Sequence, residues 1–484
     1  MYTEIKKLVK HSSIYSFGSL SGHILSFLLL PVYTRLLTTE EYGILAIIGV
    51  FRTIVQRVVN LGTQSSVVKV YFEVDNTEKR KEVTSTAFIF LTVIAGIFTL
   101  WFWLFREKLS IFLLDSPHFS FLFSFALITS FFYIIKTVPL SVFRAQGRAF
   151  TYTIFAFLTL VLGLLFNIIF VIIFRENVTG ILKSSLLSHV IVFVLVLIPF
   201  WKNFVFKFKK EYLSRMLSFG LPIVPSGLAI WILTLLDRYF LKVFADMETV
   251  GIYSLGYKIA TIMSMLVIVP FSMAWSPLML RWYKQKKAKE LFTKTFKYFS
   301  VFGFFLVLAI SLFSKDIIHV MTTPAFFDAY KIVYFITLAY LFQGFYMIFT
   351  TGCTFVRKTY YFPIATGVAA GLNTILNILL IPKYQMIGAA VATVFSYLVM
   401  TILMYLFSEK YYHIPFEFNI SLKIFFVTTV LYIAGLFIGG KLVTIVVIKL
   451  MLLVGFFVFL FLFKVFNNQE IAYAKAFLRK RKSV

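Results

Sequence analysis

The chain has 484 residues, of which 60% are hydrophobic and 14% charged, with a mean hydropathy of +0.91. Soluble domains carry about 25% charged residues, so this much apolar surface excludes a water-soluble fold and requires lipid. The net charge of +27 would point to nucleic acid in a soluble protein. Here Lys and Arg fall in short loops between apolar runs, so positive-inside topology accounts for the sign and no nucleic-acid partner is implied.

The first ten residues are basic and lead into an apolar segment without a small-residue cleavage site, so the spacing predicts a retained first helix. Runs long enough to cross a hydrocarbon core of about 30 Å follow in order: 12–35, 43–68, 84–105, 119–142, 150–174, 180–201 and 217–243. The series continues with 250–277, 296–314, 329–352, 361–381, 387–408, 420–439 and 442–465. The predicted fold is an all-α polytopic membrane protein of about 14 transmembrane helices. Lys79–Lys81, Arg144 with Arg148, Lys202–Arg215, Arg281–Lys297 and Arg357 with Lys358 all follow even-numbered spans, which predicts both termini in the cytoplasm. The single cysteine, Cys353, excludes an internal disulfide and a cysteine metal cluster; no cofactor, metal or catalytic residue is predicted.

The two halves echo each other. Ser16-Phe17-Gly18 before Thr34-Arg35 is repeated as Ser218-Phe219-Gly220 before Asp237-Arg238, and Gly43 before Arg52 as Gly251 before Lys258. Arg144, Asn167 and Gly180 are matched by Arg357, Asn377 and Gly388. Six spans return the chain to its starting side, so the repeats share an orientation and are related by an axis along the membrane normal. The expected organisation is an N-terminal lobe (1–210), a C-terminal lobe (211–409), two further helices (410–466) and a basic cytoplasmic tail (467–484). No loop is long enough to fold as a catalytic domain.

Within the second span, Arg52, Gln56, Asn60 and Gln64 recur every four residues with Arg57 beside them, so a helix carries them as one polar stripe. A guanidinium at mid-bilayer costs roughly 2.5 to 3.5 kcal/mol on the lenient scale, which predicts that this stripe walls a wet cavity. Other charges predicted at membrane depth are Arg35, Lys69, Lys136, Lys183, Asp237, Arg238, Lys242, Lys258 and Lys331. Cations dominate, and an enclosed site of this sign favours an anion such as a pyrophosphate. Asp237 beside Arg238 reads as a neutralising pair ahead of a proton-coupling group. Pro31, Pro139, Pro222, Pro225 and Pro270 are predicted to interrupt helices, His189 to pack, and Asn373 with Asn377 to bond between helices.

The words Ser26-Phe27-Leu28-Leu29-Leu30-Pro31-Val32-Tyr33-Thr34-Arg35-Leu36-Leu37, then Glu41-Tyr42-Gly43, resemble the opening of the polysaccharide transporter (Wzx-type) flippase family. The basic loop from Arg144 to Arg148 resembles that family's loop after the fourth span. The family belongs to the MOP superfamily of drug and toxin extruders (MATE), oligosaccharide-lipid carriers and lipid II flippases. The resemblance implies two six-helix lobes around a cationic cavity that opens alternately to each side, with Arg35, Arg52, Arg57, Arg238 and Lys258 as its charged lining. It implies flipping of an undecaprenyl-pyrophosphate-linked oligosaccharide, a unit of O-antigen, lipopolysaccharide, capsule or exopolysaccharide, across the bacterial inner membrane, without covalent chemistry. Membrane lipid, a glycan polymerase and glycosyltransferases of the same pathway are the implied partners. A drug or metabolite antiporter, which would need buried carboxylates, and a membrane glycan polymerase or ligase are the competing readings.

Overall fold

The computed structural model describes residues 27 and 29–466 apart from 284, 286 and 441. The basic start, most of the span at 12–35 with its Ser16-Phe17-Gly18, and the tail 467–484 lie outside the described residues. All described elements are helical. In the first half they are α1 (Leu30–Leu36), α2 (Thr39–Asn60), α3 (Thr63–Glu73), α4 (Thr77–Leu104), α5 (Arg106–Leu114), α6 (Ser120–Ala145), α7 (Ala149–Asn167), α8 (Asn177–Phe200) and α9 (Lys210–Gly220). In the second they are α10 (Ile223–Phe244), α11 (Met247–Met263), α12 (Val269–Trp282), α13 (Ala288–Met321), α14 (Val333–Phe349), α15 (Thr351–Phe355), α16 (Tyr361–Glu409), α17 (Phe418–Leu436) and α18 (Leu442–Leu462). Lipid offers no partner for backbone N–H and C=O groups, so each span must satisfy its own.

Eleven stretches are long and apolar enough to cross a membrane. One of them, α16, is two helices joined at Gln385, where φ is 46° and ψ is −128°. The 22-residue α10 adds another. Thirteen membrane-length helices are therefore described, and the fourteenth expected one falls largely outside the described residues.

Contacts divide the chain into two compact units. The first comprises the described residues of Met1–Lys258, His319–Ile332 and Tyr360–Met400. Its hub is α6, which packs on α2, α3, α4 and α8. α2 begins at a capping box in which Thr38 Oγ1 accepts from Glu41 N at 3.1 Å and Glu41 Oε2 accepts from Thr38 N at 2.9 Å. It ends where Leu61 and Gly62 turn left-handed, at φ of 50° and 70°, so the run expected at 43–68 is two helices.

The second unit comprises the described residues of Ile259–Ile318, Val333–Thr359 and Thr401–Val484. Its core is aromatic: the Phe296 ring meets Phe345, Phe349, Phe416 and Phe418 at centroid distances of 5.0 to 5.6 Å. α17 packs on α18, and Lys449 of α18 pairs with Asp316 of α13. Trp275 Nε1 donates to the Met347 carbonyl at 3.1 Å.

Two helix ends share one local geometry. After α6, Gly147 N donates to Arg144 O at 3.0 Å and Arg148 N to Phe143 O at 2.9 Å. After α15, Arg357 N donates to Thr354 O at 3.1 Å and Lys358 N to Cys353 O at 2.9 Å. Gly147 and Arg357 both have positive φ, 69° and 57°, so these are two copies of one C-terminal cap. In the two caps Gly147 and Arg357 take the same place, as do Arg148 and Lys358.

Two other expectations change. Pro31 stands in the first turn of α1, Pro222 just before α10 and Pro225 in its first turn, where no N–H is missed. Pro139 lies inside α6, and Pro270 lies inside the continuous helical run Met247–Trp275, just after its π-helical turn Ser264–Ile268, so these two interrupt helices as expected. Asn377 Nδ2 bonds Asn373 Oδ1 at 3.1 Å along α16 instead of bonding another helix.

Candidate functional site

A cavity of about 440 Å³ lies in the first unit, lined by Thr53, Gln56, Arg57 and Asn60 of α2, Gln64 and Ser65 of α3, Tyr133 and Thr137 of α6, and Gly62, Val224 and Gly227. The four-residue spacing on α2 turns the amides toward α6, where Asn60 Nδ2 donates to Thr137 Oγ1 at 3.1 Å and Gln56 Nε2 to Ser130 Oγ at 3.5 Å. Asn60 Oδ1 also accepts from Gln64 N at 3.2 Å, carrying the stripe across the helix break. Arg57 is exposed into this space. Among the described residues that line the cavity it is the one charged side chain, and none of them is a carboxylate.

Arg52 lies a little more than a turn earlier on α2 and is half-buried. It is thirteen positions into the helix, about 20 Å from its start at 1.5 Å per residue, and is within electrostatic reach of Tyr133 and His189. Lys136 of α6 is buried, its Nζ donating to Thr159 Oγ1 at 3.3 Å. His189 Nδ1 donates to the Ser185 carbonyl at 2.8 Å and its ring lies 5.9 Å from that of Tyr133. Arg52 of α2 and Lys136 of α6 are thus both within electrostatic reach of the His189 imidazole of α8.

The other expected cations stand elsewhere. Arg238 is 6% exposed and Asp237 1%. The Arg238 guanidinium donates to Thr234 O at 2.7 Å and to Asp237 Oδ1 at 3.0 Å, with the Tyr257 and Tyr253 rings at 4.3 and 5.5 Å. Tyr253 also donates its hydroxyl to Asp237. A buried charge must be paired and hydrogen-bonded, and this cluster spends Arg238 on that task instead of on the cavity. Lys258 Nζ sits 5.8 Å from the Tyr33 ring, whose hydroxyl donates to Asn167 Oδ1 at 2.8 Å. Arg35 is exposed at the end of α1. None of these three lines the cavity. Of the remaining candidates, Lys183 pairs with Glu176 at 2.8 Å, Lys242 with Asp115 at 2.6 Å, Lys331 with Asp328 at 2.8 Å and Lys69 with Glu73 at 3.9 Å.

Sequence reasoning missed Thr53, Ser65, Tyr133 and Thr137. The signal for α6 was present: Ser130, Tyr133, Thr137 and Ser141 recur at three- and four-residue intervals. They were overlooked because hydroxyls barely lower the hydropathy of a span.

Comparison with known proteins agrees with this architecture. A family model described as polysaccharide biosynthesis protein matches residues 8–282, more than half of the chain. A protein of the Lsg locus of Haemophilus influenzae is 25% identical over 313 residues, covering 62% of this chain and 72% of its own. An uncharacterized membrane protein of the same organism is 26% identical over 289 residues, 58% of this chain and 67% of its own. Among solved structures, the lipid II flippase MurJ in an inward closed conformation aligns with a TM-score of 0.75 at 17% identity, covering 94% of this chain and 99% of MurJ. An inward-facing multidrug resistance MATE family transporter of the MOP superfamily aligns with a TM-score of 0.68 at 15% identity, covering 81% and 94%. The chain is a multi-pass membrane protein with the MurJ and MATE fold, and it belongs to the polysaccharide biosynthesis protein family.

Proposed function

We propose that the protein is a flippase carrying a polyprenyl-pyrophosphate-linked oligosaccharide across the bacterial inner membrane, its basic loops facing the cytoplasm. The observation that carries this reading is the cavity itself, where one guanidinium stands among amides and hydroxyls with no acid among the described lining residues. Arginine matches phosphate oxygens with a planar fork of donors. Gln56, Asn60 and Gln64 offer the donor and acceptor pairs that sugar hydroxyls take up. Arg52, within electrostatic reach of the lining residue Tyr133, adds positive field, so the head group is held by Arg57 and favoured by its surroundings. The polyprenyl tail remains in lipid, and no bond is made or broken. Family membership supports a glycan cargo, and the lipid II flippase among the similar folds supports a lipid-linked one.

The test is transbilayer movement of a fluorescent polyprenyl-pyrophosphate oligosaccharide in proteoliposomes. Hydrogen bonds to charged groups are worth about 1.5 to 3 kcal/mol, so Arg57→Ala should slow movement by roughly tenfold to a hundredfold, with Arg57→Lys in between. Movement at the parental rate in Arg57→Ala would remove the proposal. Efflux of organic cations by the same vesicles would favour an antiporter, and glycan elongation a polymerase.

A further inference from the structure

A second cavity of about 440 Å³ opens at the start of α2. Three stretches wall it: Glu41 in the first turn of α2, His118 and Phe121 where the chain enters α6, and Arg175, Glu176 and Asn177 in the turn from α7 into α8. Glu41 precedes Arg57 by 16 positions, which is about 24 Å along the helix and about 160° around it. The two cavities therefore stand on nearly opposite faces of α2. Loops that follow odd-numbered spans build this one, and in the orientation proposed above it faces the outer water.

The polar part of the wall ties distant segments together. Asn177 Nδ2 donates to Glu41 Oε1 at 2.8 Å across 136 positions of sequence, while Glu41 Oε2 takes the Thr38 N–H of the capping box. A carboxylate has about four acceptor sites, and an amide has two donors and an acceptor oxygen, so the pair keeps capacity for the hydroxyls of a ligand. The turn that presents Asn177 is left-handed at two side-chain-bearing residues, Arg175 at φ of 55° and Asn177 at 46°, and Asp115 ahead of the facing wall is also at 55°. Glu176 N donates to Phe170 O at 2.9 Å and fixes that turn. Strained residues of this kind gather at ligand clamps.

The charges of the wall select the ligand. Lys183 pairs with Glu176 at 2.8 Å, and Arg175 balances Glu41, so these four charges cancel where the cavity at Arg57 is cationic. Among the described residues no group of three His, Cys, Asp or Glu is placed to hold a metal ion. A neutral molecule with many hydroxyls and one apolar face suits such a wall, and a sugar has that chemistry. Its C–H face lies on the negative face of an aromatic ring, here Phe121, which is 47% exposed. The volume is that of a small-molecule site. We infer that this cavity is an outer-face site for the exported oligosaccharide, with Phe121 as the ring beneath a sugar and the Glu41–Asn177 pair bonding its hydroxyls; the inference rests on the transport reading above.

The experiment titrates a fluorescent derivative of the free oligosaccharide, cut from its lipid pyrophosphate, onto the full chain in nanodiscs and follows polarisation. Phe121→Ala should weaken binding by about tenfold and Asn177→Ala severalfold, while Phe121→Trp stays close to the parental chain because an indole still offers a face. The exposure of Phe121 means that its replacement leaves the packed interior alone. In sealed inside-out vesicles the same glycan should not bind, and binding as strong as in nanodiscs would overturn the inference. Equal affinity in Phe121→Ala and the parental chain would also overturn it, as would binding that follows Asn60→Ala and ignores Phe121→Ala, which would put the sugar in the cavity at Arg57. Binding that depends on Phe121, in a chain that moves no lipid-linked glycan, would support the outer site and remove the transport reading. Flipping at full rate by a chain that binds no free glycan would remove the outer site and leave the transport reading intact.

Discussion

Arg57 and Arg238 carry the same group into opposite surroundings, and their substitutions should separate accordingly. Removing one member of a buried ion pair leaves the other uncompensated, at about 3 to 5 kcal/mol. Arg238→Ala, which leaves Asp237 with the Tyr253 hydroxyl but without a counter-charge, is therefore expected to lower the melting temperature in detergent and reduce abundance. Arg57→Ala faces open space and should leave melting nearly unchanged, within about 0.5 kcal/mol, while transport falls. Comparing melting curves with flipping rates for the two variants checks both halves. The difference was not legible in the sequence. The stripe at Arg52, Gln56, Asn60 and Gln64 could be read because its period belongs to one helix. The fate of Arg238 depends on Tyr253 and Tyr257, which arrive from α11, and no local pattern announces them.

At the scale of whole helices, the tie between α18 and α13 decides how the last span is held. Lys449 is only 5% exposed at its side chain and pairs with Asp316, in a helix whose other residues are almost all apolar. Such pairs are weak sources of net stability but are expensive to break on one side only. Asp316→Ala should therefore loosen α18, seen as faster hydrogen exchange across Leu442–Leu462. The double change Asp316→Leu with Lys449→Met should return exchange to the parental level. The lysine escaped notice because its apolar neighbours outweigh it in any hydropathy window. The boundary of α2 escaped for a related reason: Leu61-Gly62-Thr63 interrupts an apolar run without adding a charge, and only the left-handed φ values reveal it.

For the molecule as a whole, span number and fold class were legible because bilayer thickness fixes helix length and composition leaves no other solvent. The likeness of the helix ends after α6 and α15 was not legible in the letters, since glycine and arginine share one backbone conformation at Gly147 and Arg357. The span of α2 brings acyl-chain length into the mechanism. Its 22 residues run about 33 Å between the cap at Thr38 and the break at Leu61, so both ends reach water only if the apolar slab is no thicker than that. In bilayers of longer lipids the cap or the break would sink into hydrocarbon, whereas modestly shorter lipids still leave both ends wet at a small cost per ångström of mismatch. Flipping rates across a phosphatidylcholine series of increasing chain length should fall off sharply on the thick side and gently on the thin side, and a flat profile would show that the ends of α2 do not set the depth of the path.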